Sequence, residues 1–556
     1  MRMNLCLENH HCLRSLKQVL QKYGSIILEL ALLMCVGLPK FKDIGVMMLD
    51  HAGKLRSRQV DPKRVREAMS MAIIEHDLPY SFIEYRRIRE LLNLLNPDVK
   101  HISRNTAMSD VWKFYLDQKD MLKKRMAKSR GRICLTFDCW TSYTTEGYIC
   151  LTAHFIDDSW NLNSRILSFC KMEPPHSGVE LARKIFSCLK EWGVDRKIFS
   201  LTLDNASAND SMQCILKEHL SLQNSLLCGG EFFHIRCCAH ILNLIVQEGL
   251  KVASGALIKI RESIKYVKAS EARMISFNEC VAEVGGIDTG MGLRLDVSTR
   301  WNSTYVMLES VIKYRRAFRS LSLFDKNFKS CPSNEEWMRA EKMEDFLLPF
   351  NIITNLFSGS SYPTSNMYFM QIWKIECLLI ENLSVDDSVI QDMATRMKEK
   401  FDKYWSDYSV ILAIAAVLDP RMKLDALKFC YSKLHPINWK QKLENVKTKL
   451  YTLFAQYETR DVGASSSSVV VPSLETKGDG APSKDASWEW INYVCETESP
   501  TGKSELDKYL EEPKLKPKCH ENLYVLGHWR GHQNEFPSLS KMACDILSIP
   551  ITTVAS

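Results

Sequence analysis

The chain is 556 residues long, 46% hydrophobic and 25% charged, with a net charge of +7 and a pI near 8.5. That composition is globular rather than disordered, and its mild basic excess favours polyanions without specifying one. The 19 cysteines are scattered with no Cys-x-x-Cys pair, which argues against a disulfide scaffold and for reduced thiols in an intracellular protein.

Residues 1–60 form an atypical extension. Its cluster of Cys6, His10, His11 and Cys12 lacks the paired, hairpin-spaced ligands of a structural zinc site, so zinc is not expected there. The apolar run 26–38 contains Glu29 and is short for a membrane span; a buried helix is expected, and no membrane partner. Residues 61–131 read as a helical region. Val65, Ala68, Met69, Ala72 and Ile73 recur at helix spacing until Leu78-Pro79, a second segment covers 82–95 up to Asn96-Pro97, and a third covers 106–128. The third carries Lys123, Lys124 and Arg125, with Lys128, Arg130 and Arg132 beyond. Two readings stand for these cations: a solvated helix face suited to the C-terminal dipole, or a strip that contacts phosphates.

Residues 132–300 open on the β-prone run Ile133-Cys134-Leu135-Thr136-Phe137, which ends on Asp138. Strands at 148–156 and 162–170, a helix at 177–192 and a strand at 198–203 follow, the last ending on Asp204. Strand, strand, strand, helix, strand is the first half of a ribonuclease-H-like core. In such a core the first and fourth strands are neighbours, so Asp138 and Asp204 should converge. Two converging carboxylates can hold divalent metal, and a pair of ions about 3.5 to 4 Å apart can activate water and steady the leaving oxygen of a phosphodiester. Each acid alone fits a turn or a helix N-cap equally well. A phosphatase with Asp138 as nucleophile would want a second carboxylate two residues on, where Trp140 stands.

A helix at 208–219, a short strand at 232–235 and an apolar helix at 239–250 come next, the last opened by Cys237 and His240. One Cys-x-x-His pair with no second pair beside it is not a zinc site, and a packed core histidine competes with a functional one. Residues 301–458 read as an all-helical block, with helices near 302–318, 334–358, 365–383, 386–406 and 411–417, whose apolar stripes serve a core. Residues 459–503, with their Ser, Gly and charged runs, read as a flexible linker. In the last segment, 504–556, Leu539, Met542, Ala543, Ile546 and Leu547 make one helical face that needs a partner surface, either a second chain's or the protein's own.

Four stretches occur in a telling order: Leu135-Thr136-Phe137-Asp138-Cys139-Trp140-Thr141-Ser142, Thr202-Leu203-Asp204-Asn205-Ala206-Ser207-Ala208-Asn209-Asp210, Arg236-Cys237-Cys238-Ala239-His240-Ile241-Leu242-Asn243-Leu244 and Ser298-Thr299-Arg300-Trp301-Asn302-Ser303-Thr304-Tyr305. Together they resemble the hAT transposase superfamily, in particular its domesticated plant group, RICESLEEPER and DAYSLEEPER, from about residue 61 to the end. The resemblance implies an α/β fold: a ribonuclease-H-like core interrupted by a large all-α insertion, preceded by an N-terminal helical region and followed by a dimerisation segment.

It also implies roles. Asp138 and Asp204 become members of an acidic triad that binds divalent metal such as Mg2+. His240 lies close to DNA, Arg300 and Trp301 belong to a motif whose Trp stacks near a flipped or hairpinned DNA end, and Trp529, Leu539, Met542, Ile546 and Leu547 serve dimerisation, with His528 where the family prefers a second Trp. The group's N-terminal zinc-binding BED finger is not recognisable in residues 1–60, and the family's third acid follows directly on a run like Ile549-Pro550-Ile551-Thr552-Thr553-Val554-Ala555-Ser556. The expectation is therefore a nuclear, DNA-binding protein, forming homodimers or heterodimers with related hAT proteins, that holds Mg2+ weakly, does not cut DNA and acts on transcription. Two alternatives remain: an active transposase of the three-acid type if the product extends past Ser556, and a protein-interaction module without DNA binding.

Overall fold

The computed structural model describes residues 48–49, 55–56, 61–95, 99–129, 131–141, 146–172, 177–252, 254–406, 408–464 and 503–553. The Cys6, His10, His11 and Cys12 cluster, the apolar run 26–38 and the linker from 465 to 502 lie outside these residues. The chain divides into two compact units, one drawn from Met1–Asp158 and Asn163–Leu226, the other from Leu227–Ala555 with Ser159–Leu162.

Among the described residues the first unit has a two-residue antiparallel pair, Met48–Leu49 with Leu55–Arg56, and then three helices, α1 (Pro62–Glu75), α2 (Arg86–Leu95) and α3 (Arg104–Lys128). Each start has a local cause: the Asp61 carboxylate accepts the Lys63 N–H at 2.9 Å with Pro62 at the first helical position, and Ser103 Oγ accepts the Thr106 N–H at 3.2 Å ahead of α3. Ala107, Val111, Tyr115, Leu122 and Met126 then bury one face of α3.

Four strands follow in this unit: β1 (Ile133–Thr141), β2 (Gly147–Ile156), β3 (Leu162–Met172) and β4 (Ile198–Leu203). They lie in the order β3-β2-β1-β4. β1 and β2 are antiparallel with Asp138 opposite Cys150, whereas β1 and β4 are parallel with Thr136 opposite Thr202. All six residues of β4 are buried, while β2 alternates buried and half-buried side chains, so its two faces are unequally covered. Between β3 and β4 runs α4 (Gly178–Trp192), capped by Ser177 and closed by Gly193 at φ 69°, and after β4 runs α5 (Ser207–Ser221). Gly178 is where these helices touch: a Cβ there would lie 2.7 Å from Ser211 Cβ. This is the expected α/β ribonuclease-H-like order.

The second unit begins with the short strand β5 (His234–Arg236) and is otherwise helical: α6 (Cys238–Leu250), α7 (Ser254–Lys268), α8 (Glu271–Val284), α9 (Trp301–Ile312), α10 (Arg315–Phe324), α11 (Asn334–Phe357), α12 (Ser365–Glu381), α13 (Ser388–Trp405), α14 (Val410–Val417), α15 (Lys423–Leu434), α16 (Trp439–Ala464), α17 (Glu505–Glu511), α18 (Val525–His532) and α19 (Pro537–Leu547). α6 is the apolar helix expected at 239–250, whereas α7 and α8 are elements that the sequence reading passed over. The expected helix 302–318 is two, broken at Tyr314 with φ −96° and ψ 6°. The start of the expected linker is also helical, since α16 continues to Ala464.

The C-terminal segment is fastened to the helical part at the corner Asp419-Pro420-Arg421. Asp419 is fully buried and accepts from Asn366 Nδ2 at 2.9 Å and Arg421 Nη2 at 2.7 Å. Arg421 Nη1 reaches the Glu521 carbonyl at 3.1 Å, Tyr509 Oη donates to the Val417 carbonyl at 3.0 Å and Trp529 Nε1 to that of Leu418 at 2.9 Å. Lys423, held at φ 47°, donates to the carbonyls of Tyr509 and Glu512. Over this corner Trp529, Leu539, Met542 and Ile546 are 0% exposed and Leu547 is 1%. The apolar face expected to await a second chain is covered by the protein's own α14 and α16, a correction whose cause is simple: a helix with one apolar stripe is satisfied by any apolar surface, and the nearest is intramolecular.

Candidate nucleic-acid interface and acidic pair

In the first unit the parallel register that sets Thr136 opposite Thr202 carries on, two residues later, to Asp138 and to Asp204 just past β4; β1 does not stop at Asp138 as expected but continues through Thr141, because Cys139, Trp140 and Thr141 go on pairing with β2. Both are half-buried. Their proximity shows at Cys139, whose thiol is pushed up first by burial and then by the negative charges of Asp138 and Asp204. Asp204 does structural work as well: its Oδ1 accepts the Ala206 N–H at 3.1 Å and Asn209 Nδ2 at 2.6 Å, shaping the turn into α5. The turn-former and the converging acid are thus the same residue. Two carboxylates supply hard oxygen ligands of the kind Mg2+ prefers, and Mg2+ often uses only one or two carboxylates when substrate phosphates complete its shell. Among the described residues no group of three or more His, Cys, Asp or Glu side chains converges on one point.

The basic strip on α3 is largely committed within its own unit. Lys124 Nζ lies 2.6 Å from Asp120, which holds its pKa above the ordinary value, and Lys123 Nζ lies 4.0 Å from Glu191 and 5.7 Å from the Trp192 ring centroid. Arg125 remains exposed in the last turn, where the helix dipole favours it.

The second unit brings other residues together. Cys237 is the N-cap of α6 and is almost fully buried; Thr553 N–H points at its sulfur from 3.4 Å, and the Cys238 N–H donates to the Ile551 carbonyl at 2.8 Å. Burial raises the Cys237 thiol, against the hydrogen bonds that would favour its thiolate. Cys-x-x-His is accordingly an anchor at its first position. His240, half-buried in the first turn of α6, occupies the presented position.

One turn further along α6, Asn243 Oδ1 accepts the Trp301 N–H at 3.1 Å, and Gln247 Nε2 donates to the Ser298 carbonyl at 3.0 Å. The loop is braced from its other side by Asp296, whose side chain is 2% exposed, receives Arg261 Nη2 at 2.7 Å and Thr304 Oγ1 at 2.8 Å. Burial works against the Asp296 carboxylate, yet the Arg261 and Thr304 hydrogen bonds hold its pKa below the usual carboxylate range. This bracing leaves Arg300 exposed at the N-cap of α9.

Trp301 is a different matter. It is 2% exposed, so its indole packs in the core and offers no face to a nucleic-acid base, which corrects the stacking role expected of it. Asn243 and Asp296, which fix the loop, were missed; an Asn inside the apolar run 239–250 was the signal available for the first. The chemistry on display is cationic and hydrogen-bonding: an imidazole and a guanidinium on adjoining elements, suited to phosphate oxygens.

Comparison with known families agrees with this arrangement. Residues 136–232 match the ZBED1 RNase-like domain and residues 235–346 the ZBED1 RNase-like helical domain. Residues 366–457 match the hAT-like transposase family of RNase-H fold, and residues 505–556 match the hAT family C-terminal dimerisation region. Among curated proteins, the chain is 34% identical to zinc finger BED domain-containing protein RICESLEEPER 2 of Oryza sativa subsp. japonica, over 89% of this chain and 70% of that protein. It is 33% identical to RICESLEEPER 1 of the same species, over 89% of this chain and 70% of the relative, and 30% identical to DAYSLEEPER of Arabidopsis thaliana, over 88% and 68%. Among the described residues no single helix is long and apolar enough to cross a membrane. With its strand order, its acids carried by neighbouring strands and these matches along nearly its whole length, the chain belongs to the hAT transposase-derived family that includes the RICESLEEPER and DAYSLEEPER proteins.

Proposed function

We propose that this chain is a nuclear protein that binds DNA through phosphate contacts, associates with itself or with related hAT proteins, and acts on transcription rather than on DNA strands. The observation that carries the reading is the braced Asp296–Arg300 loop, where a part-buried ion pair and two side-chain hydrogen bonds from α6 hold Arg300 in solvent, its neighbour Trp301 tied to Asn243 one turn after His240 on that helix. A guanidinium fixed in that way is positioned for phosphate, and Arg125 adds a further exposed cation in the first unit. The matched dimerisation region supports association, and the relatives' names support a nuclear setting.

Asp138 and Asp204 would hold a divalent ion weakly, and that ion, when bound, would neutralise a nearby phosphate. Their own part is to supply hard oxygen ligands in one half-buried place, with Asn209 orienting the Asp204 carboxylate. Mg2+ can be held by one or two carboxylates when phosphate oxygens complete its shell, so an ion shared with a bound phosphate is the expected occupant.

Fluorescence anisotropy with duplexes of specific and scrambled sequence at two salt concentrations tests the binding. Affinity should vary little with sequence and fall steeply with salt, and Arg300→Ala should flatten the slope of log K against log salt by about 0.9, the contribution of one phosphate contact. Salt-insensitive, sequence-specific binding would overturn the phosphate reading. Nicking with Mg2+ or Mn2+ that disappears in Asp138→Ala and Asp204→Ala would overturn the non-cutting one.

A further inference from the structure

Helix α13 buries Ile390, Met393, Ala394, Met397, Phe401 and Trp405 along one stripe. Tyr404 lies beside that stripe in the last turn and remains partly exposed. Its ring draws two cations, the Arg236 guanidinium with Cζ 5.9 Å from the centroid and Lys403 Nζ at 5.7 Å. Arg236 comes from the end of β5, four residues before His240, and α13 packs along α6, so the Tyr404 ring borders the surface that presents His240. Of the neighbouring acids, Asp402 is paired with Lys398 at 2.5 Å and Glu248 with Lys251 at 2.9 Å, while Glu399, one turn before Lys403, stands in solvent. Among the described residues neither Arg236 nor Lys403 pairs with a carboxylate, and both are exposed.

An aromatic face flanked by two uncommitted cations suits one class of ligand. A single nucleic-acid strand offers a flat base to stack on the ring and phosphates on either side for the cations, whereas a duplex keeps its bases stacked on each other and offers phosphate alone. We propose that Tyr404, with Arg236 and Lys403, is a stacking platform for an unpaired nucleotide. It extends the DNA-binding reading above and rests on it. Tyr404 supplies the stack, Arg236 and Lys403 hold the flanking phosphates, and Trp301, buried as it is, takes no part.

The test uses the full chain with fluorescent oligo-dT and, separately, a mixed-sequence duplex. Tyr404→Ala should weaken oligo-dT binding about tenfold, the scale of losing one base stack, with duplex affinity unchanged, and Tyr404→Phe should keep wild-type affinity for both. Oligo-dT affinity that is equal in wild type and Tyr404→Ala overturns the platform and leaves the DNA-binding reading intact, as does a wild type that binds duplex but not oligo-dT. A wild type that binds neither brings down both. Should Tyr404→Ala not fold, the double variant Arg236→Gln with Lys403→Gln alters only exposed side chains; it should flatten the oligo-dT salt slope by about 1.4, two phosphate contacts on a single strand, and an unchanged slope overturns the proposal.

Discussion

Leu539→Ala separates two accounts of the C-terminal segment. Leu539 is 0% exposed within a single chain, on the face of α19 that packs against α14 and α16. Its N–H is taken by Glu505 Oε2 at 2.9 Å, which ties the start of α19 to α17. Truncating a Leu in such a place removes its transfer free energy and leaves a cavity, a loss of about 2 to 5 kcal/mol, and full burial puts this site in the upper part of that range. With a urea dependence of about 1 to 3 kcal/mol per molar, the unfolding midpoint should fall by on the order of 1 M or more. Were Leu539 an interface residue instead, the variant would unfold like the wild type and simply dissociate. Urea unfolding followed by Trp fluorescence, with sedimentation velocity on the same sample, distinguishes these. An unchanged midpoint together with loss of a dimer would refute the packing argument. The matched dimerisation region then has to associate through side chains that stay outside, of which Tyr524 at 47% exposure is the largest aromatic. Tyr524→Asp should weaken self-association at unchanged stability, and a Tyr524→Asp protein with wild-type association constants would exclude that surface.

Three further outcomes follow from particular contacts. Gly178→Ala places a methyl 2.7 Å from Ser211 Cβ and 2.9 Å from the Ala208 carbonyl, so it should destabilise the first unit by about 1 to 3 kcal/mol in chemical denaturation; a neutral result would mean that α4 and α5 are not so close. Burial lowers the His154 pKa to about 4 and keeps the imidazole neutral against Thr136 Oγ1 at 3.0 Å. The unfolded ring takes up its proton near pH 6.5, so stability should be level above that pH and fall on acidification towards pH 4, by up to about 3 kcal/mol; a His154→Gln protein that loses as much over that window would rule out this origin. Asp296→Ala leaves the half-buried Arg261 without its partner and removes the brace of the Arg300 loop, with an expected loss of about 1 to 3 kcal/mol of stability and weaker duplex binding; retention of both, measured by urea unfolding and anisotropy, would show that the loop stands without it.

The fold was legible where local pattern and tertiary demand coincide. Strand-length runs of Ile, Leu and Phe ahead of an acid located β1 and β4, although β1 runs on past Asp138 to Thr141, and the strand order alone implied that they would be neighbours. What could not be read was the destination of an amphipathic face. Leu539, Met542 and Ile546 have the spacing of an interface helix and of a core helix alike, because periodicity states which side is apolar and not what covers it. The same limit applies to Lys124: a run of cations reads as a phosphate strip until Asp120, one turn earlier, is seen to hold it.

The motifs gave the right places but mixed two kinds of residue, and the structure separates them by burial. Cys237, Trp301 and Trp529 are anchors: a sulfur facing Thr553 N–H, an indole in the core behind α9, and an indole donating to the Leu418 carbonyl. His240 and Arg300 are presented, and each owes its position to an adjacent anchor, Cys237 starting the helix that carries His240 and Trp301 drawing the chain inward directly after Arg300. A polar side chain is held in solvent at a defined place most economically when its neighbour in sequence is buried, since the backbone between them has little freedom left. Chemistry should therefore be sought one to three residues away from the large buried side chain of such a motif. Tyr404 obeys the same rule from outside the motifs, because it stands between Phe401 at 0% and Trp405 at 4% exposure, on a helix whose core contacts leave its ring no choice but to face outward beside the stripe they bury.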